Sequence, residues 1–187
     1  MRHRPRSPVG ARKSRVSTPA SDCVRRRWSR RRATHRQGGA ACISAWSATP
    51  SADGDVWLFD RTTRTLVAGD LVTLSVPLFD TACSAGWQDA LRRLDDVDFV
   101  KLVPGHGAVM DHARFRIYRG AYDRLLACAA SDAPADACKA GWLHDAQSLI
   151  PAPDLALADP LLDYYITQVL RAGSARRDKY CHRESHE

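Results

Sequence analysis

Thr65-Leu66-Val67-Ala68-Gly69-Asp70 and Phe99-Val100-Lys101-Leu102-Val103-Pro104-Gly105-His106-Gly107 are the two stretches whose reading decides the fold. Each is a short apolar run of the kind that fits a pleated, half-buried strand. Each ends at a glycine next to a side chain that can bind a metal. Gly69 permits an unusual backbone angle where the first strand stops, leaving Asp70 at the strand's C-terminal edge. Pro104 and the Gly-x-Gly around His106 form a turn that projects one imidazole from a rigid edge. A carboxylate and an imidazole on neighbouring strand tips can converge on one metal ion, because zinc accepts both oxygen and nitrogen donors.

Upstream, Val56-Trp57-Leu58-Phe59 is a second strand-like run, closed by Asp60 and the polar turn Arg61-Thr62-Thr63-Arg64. With Thr65-Leu66-Val67-Ala68 it reads as an antiparallel hairpin. Between the two deciding stretches, Trp87, Ala90, Leu91 and Leu94 have helical spacing, so residues 86–94 are expected to form a helix.

Strand, turn, strand-Ala-Gly-Asp, helix, strand-Val-Pro-Gly-His-Gly resembles the second half of the metallo-β-lactamase-fold hydrolases. The resemblance covers roughly residues 53–112. It implies an α/β (α+β) fold, half of an αββα sandwich, with one mostly antiparallel sheet and C-terminal helices. In that family the Asp after Gly bridges two metal ions and the His of Pro-Gly-His-Gly ligates one of them. Carried over, those metal roles fall on Asp70 and His106, with one or two zinc ions as cofactor. The implied reaction is hydrolysis of a small molecule, of unspecified identity, by a metal-bound hydroxide.

The sequence departs from the family's pattern at two places. The first-half motif H-x-H-x-D-H is absent, since only His3 and His35 precede Asp70. A His the family places shortly before the hairpin, often followed by Thr-Pro, is Ala48 in Ala48-Thr49-Pro50. A zinc hydrolase needs three protein ligands and an open position for water. The expectation is therefore a truncated or degenerate zinc-hydrolase-like chain, inactive alone and binding zinc weakly. The alternative is a non-catalytic remnant or interaction module with a basic nucleic-acid-binding tail. Half of such a sandwich leaves a sheet face uncovered, so self-association is also expected.

The rest of the chain reads as helix. Ile117/Tyr118, Ala121/Tyr122, Leu125/Leu126 and Ala129 repeat every four residues as one apolar stripe. Asp159-Pro160 reads as the start of another helix. Its expected buried face is Leu161/Leu162, Tyr165/Ile166 and Val169/Leu170, and Gly173 is its expected end. His112 is expected to stay solvated at a helix start, and His144, His182 and His186 to lie on the surface. Cys83, after Asp70, is read as loop chemistry without an assigned role.

Composition sets the outer limits. The 187 residues suffice for one domain with a core and a tail, and the net charge is +7. That charge is uneven: residues 1–45 hold 13 basic residues and one acid (13 − 1 = +12), while residues 46–187 hold 15 and 20 (15 − 20 = −5). Residues 1–50 are expected to form a basic, disordered tail, of which residues 1–45 could instead reflect another reading frame. Residues 51–175 form the family-like part and 176–187 a polar tail. Arg25-Arg26-Arg27-Trp28-Ser29-Arg30-Arg31-Arg32 could grip nucleic-acid phosphates without sequence preference. No apolar run suits a membrane span, and no signal peptide is readable. The six cysteines contain no C-x-x-C. Cys128 and Cys138 bracket a polar loop and read either as a disulfide, which would fit a periplasmic or secreted parent, or as two inert thiols.

Overall fold

The computed structural model describes residues 33–37, 40–46, 56–177 and 179–181. The expected hairpin forms from β3 (Val56–Asp60) and β4 (Thr65–Thr73), antiparallel, with Leu58 opposite Val67 and Asp60 opposite Thr65. Asp60 stabilises the turn, accepting from Thr62 N at 2.9 Å and from Thr63 Oγ1 at 2.7 Å. Those hydrogen bonds, Thr63's first, hold its carboxyl below the usual carboxylate range.

The chain leaves β4, forms α1 (Ser84–Asp95) and returns as β5 (Lys101–His106), parallel to β4. A helix between two parallel strands is the standard crossover for such a pair. The expected strand over residues 99–103 thus begins slightly later and runs through the Pro-Gly-His turn. Ahead of the hairpin, β1 (Ala33–Gln37) and β2 (Ala40–Trp46) complete a five-stranded sheet in the order β1-β2-β3-β4-β5. Both fall within residues 1–50, where the composition leads to no expected element. The physical reason is ladder pairing: β2 lies antiparallel along β3, from Cys42 opposite Asp60 to Trp46 opposite Val56. Backbone donors and acceptors find partners there whatever the side chains are. The Arg25–Arg32 run and Ala48-Thr49-Pro50 lie outside the described residues.

Three further helices follow, α2 (His112–Ala129), α3 (Ala135–Ala146) and α4 (Leu155–Tyr164), then a short α5 (Ser174–Arg177); α1 packs against β4 and α2 against β5, while α3 packs on α2 and α4 on α3. Trp57, Leu66 and Ala68 point into this core, while Leu58 and Val67 are exposed on the opposite face. This is the α/β arrangement expected, with Leu58 and Val67 of the hairpin left 45% and 40% exposed. Phe79, Trp87, Tyr122 and Tyr165 form an aromatic knot with centroids 5.4–5.7 Å apart. Such rings contribute both buried area and edge-to-face attraction. No helix of the described residues is long and apolar enough to cross a membrane.

The helical expectations need three corrections. α4 starts at Leu155, after a 3-10 turn over Ala152–Asp154, so Pro160 lies inside it and not at its first turn. Asp159 is not its cap; its carboxylate faces Lys139 Nζ at 3.5 Å. A proline this near a helix start removes one backbone hydrogen bond of the first turns, which the chain tolerates. The register on both stripes is also turned: Leu162 and Tyr118 are fully buried, whereas Leu161 and Ile117 are exposed. α4 then widens into a π turn over Tyr165–Leu170, and the helical run stops at Arg171, ahead of Gly173.

Candidate metal centre

β4 carries two register shifts against β5, between Val67 and Gly69 and between Gly69 and Thr73. Asp70 lies within the irregular part, and such irregularities re-aim a side chain at a strand's end. Gly69 has φ +55, in the left-handed region that suits glycine. Gly105 matters for another reason. A Cβ there would meet Asp70 Oδ1 at 2.3 Å and the Gly69 carbonyl carbon at 2.8 Å. The Asp70 carboxylate thus rests directly on the Gly105 backbone, and only glycine leaves room for it.

The result is that Asp70 Oδ1, inside β4 and not at its end as expected because the strand runs on to Thr73, stands 3.7 Å from Nε2 of His106, the last residue of the neighbouring parallel β5. Leu74 N donates to the His106 carbonyl at 3.0 Å, which ties the turn to the end of β4. Both side chains are open to solvent, 67% for Asp70 and 58% for His106. Exposure of this order gives an ion pair little stabilising value of its own. Zinc binds oxygen and nitrogen donors at about 2.0–2.2 Å, so this separation lies within reach of one shared ion. By reach and donor type the pair fits a metal. The set does not reach three, because among the described residues no group of three or more His, Cys, Asp or Glu could hold an ion.

A scan of protein-family models and a search of curated proteins found no match. Solved structures similar to the chain include a metallo-β-lactamase and a metallo-β-lactamase family protein. One, from Pontibacter korlensis, is 19% identical, with a TM-score of 0.41 over 46% of this chain and 43% of its own. A metallo-β-lactamase family protein from Thermus thermophilus is 20% identical, with a TM-score of 0.38 over 71% and 46%. A third, TMB-1, is 14% identical, with a TM-score of 0.39 over 51% and 47%. The chain thus spans less than half the length of each, and likenesses of this size carry nothing about its activity.

The other histidines and cysteines fall as follows. His112 is half-buried and held in place, not free in solvent as expected: its ring stacks on Phe99 with centroids 4.3 Å apart, and its Nε2 lies 2.8 Å from Asp95 Oδ1. Asp95, 13% exposed, also takes Arg116 at 3.0 Å and Arg119 at 2.5 Å. Burial works to raise its pKa, but hydrogen bonds from Arg116 and His112 and the charge of Arg119 outweigh it, and the carboxyl ends below its ordinary range. His112 is therefore a structural tie between α1 and α2. His144 sits on the surface, as expected, 3.2 Å from Asp145.

Cys128 and Cys138 form a disulfide, the first of the two readings left open by the sequence. Cys83 has a structural role that sequence reasoning missed: it is bonded to Cys181, 98 residues away. A separation of that size leaves no local signal, and connectivity among six cysteines is not deducible from spacing alone.

Proposed function

We propose that residues 53–112 carry part of a metallo-β-lactamase-type zinc site, with Asp70 and His106 as two of its ligands, in a chain that does not hydrolyse substrate by itself. The observation that supports this reading most is the 3.7 Å approach of Asp70 Oδ1 to His106 Nε2, across a strand pair that only glycine at position 105 allows. A bound zinc ion with an open position supplies a water acidified to near-neutral pH. Asp70 would offer it a carboxylate oxygen and His106 a ring nitrogen. Two protein ligands hold an ion weakly and do not orient a water, so no hydrolytic step follows from these residues alone.

The test is a turnover assay on the purified chain with added zinc, against lactam, thioester and phosphoester substrates. The expected result is no rate above a metal-free control. Zinc-dependent turnover lost in Asp70→Ala would overturn the reading and call for ligands from a second chain.

A second reading, an interaction module, is favoured by Leu58 and Val67, 45% and 40% exposed and directly opposite each other on the open sheet face. An uncovered apolar pair on a sheet suits a partner surface. Concentration-dependent association, reduced in Leu58→Lys, would support it.

A further inference from the structure

Away from Asp70 and His106, the segment after β4, the C-terminal end of α4 and the last described residues enclose a cavity of about 190 Å³. Its walls are of two kinds. Phe79, Tyr164 and Tyr180 present aromatic surface, while Arg176 and Lys179 present positive charge. Asp80 is the acid among the lining residues, and its Oδ2 already accepts a hydrogen bond from the Tyr165 hydroxyl. Among the described residues no carboxylate pairs with Arg176 or Lys179; the contact of Lys179 is with the Tyr180 ring, Nζ 5.0 Å from its centroid. The Cys83–Cys181 bond joins the residue after Tyr180 to the start of α1, so this wall is fastened covalently to the domain.

We propose that this cavity binds a small aromatic carboxylate. Arg176 and Lys179, which have no carboxylate partner among the described residues, call for an anion, and a guanidinium matches a carboxylate with two parallel hydrogen bonds. The aromatic side calls for a flat ring, which Tyr164 and Tyr180 can stack against or meet at the edge. Size sets the upper limit. The volume is about that of six waters at ~30 Å³ each. It is also below the roughly 300–1,000 Å³ of sites for drug-sized ligands. One ring with its carboxylate fits these limits; a dinucleotide or a peptide does not. The fastened wall lowers the ordering cost of binding, as preorganised sites do.

The probes are benzoate, its neutral analogue benzyl alcohol and inorganic phosphate, titrated into the oxidised full chain and followed by NMR of the tyrosine rings. The expected result is saturable benzoate binding that shifts Tyr164 and Tyr180 and weakens with salt. Benzyl alcohol should bind at least about tenfold more weakly, the loss expected for a charge-assisted hydrogen bond. Arg176→Gln combined with Lys179→Gln should weaken benzoate by about tenfold or more, on the same ground, while leaving the near-UV circular dichroism unchanged. If that variant fails to fold, the salt dependence and the benzyl alcohol ratio on the native chain decide. Absence of benzoate binding, equal affinity for benzyl alcohol, or an unchanged affinity in the folded variant would overturn the proposal. Phosphate binding as tightly as benzoate would overturn the aromatic part.

Discussion

At the scale of single residues, Gly105 constrains the candidate centre most. Any side chain there would drive into the Asp70 carboxylate and the Gly69 backbone. Gly105→Ala is expected to cost about 1–3 kcal/mol, the usual range for overpacking. Equilibrium denaturation should show it, and an unchanged midpoint would contradict the close approach.

Asp95 makes a second residue-scale prediction. Its folded pKa is depressed, so its contribution to stability is present above the unfolded value of about 3.9 and lost as pH falls through the folded one. Asp95→Asn should cost about 2 kcal/mol at neutral pH. That is less than the roughly 3–5 of a fully buried pair, because Arg116 and Arg119 keep access to solvent. The variant should also flatten the acid limb of a stability–pH curve below about pH 4. A curve parallel to the parent's would contradict the network.

The approach of Asp70 to His106 is legible in the sequence because each follows an apolar run and stands beside a glycine. The environment of His112 is not, since both Phe99 and Asp95 reach it through the tertiary packing of α1 and β5 against α2.

At the scale of elements, the hairpin, α1 and β5 follow from local periodicity, although β4 runs on past Asp70 to Thr73 and β5 past Val103 to His106. α4 shows where that reading stops. Asp159-Pro160 resembles a helix start, yet Leu155 to Ala158 already form the first turn, and Ala158 packs fully buried. Tertiary burial outweighs the local signal. The resulting register separates two neighbouring leucines that the sequence places on one face. Leu162→Ala should cost about 2–5 kcal/mol and Leu161→Ala well under half as much, given full burial of the first and 41% exposure of the second. Equal losses in thermal unfolding would refute the register.

At the scale of the molecule, the two disulfides bind the helical layer to itself and to the segment after β4. The Cys83–Cys181 bond closes a loop of 98 residues, the Cys128–Cys138 bond one of 10. On the chain-entropy account a loop near 100 residues contributes about 4.7 kcal/mol, and one of 15 about 3. Cys181→Ser should therefore lower stability more than Cys138→Ser, as measured by urea unfolding of the oxidised proteins. The reverse order would show that native-state geometry, not loop length, governs.

Asp70 and His106 are proposed above to share one metal ion in an incomplete site. A zinc titration of the full chain tests it most directly, with His106→Ala and Asp70→Ala beside it. One weak site per chain is expected, lost in both variants while their circular dichroism stays native. Tight binding, or binding that survives both substitutions, would contradict it.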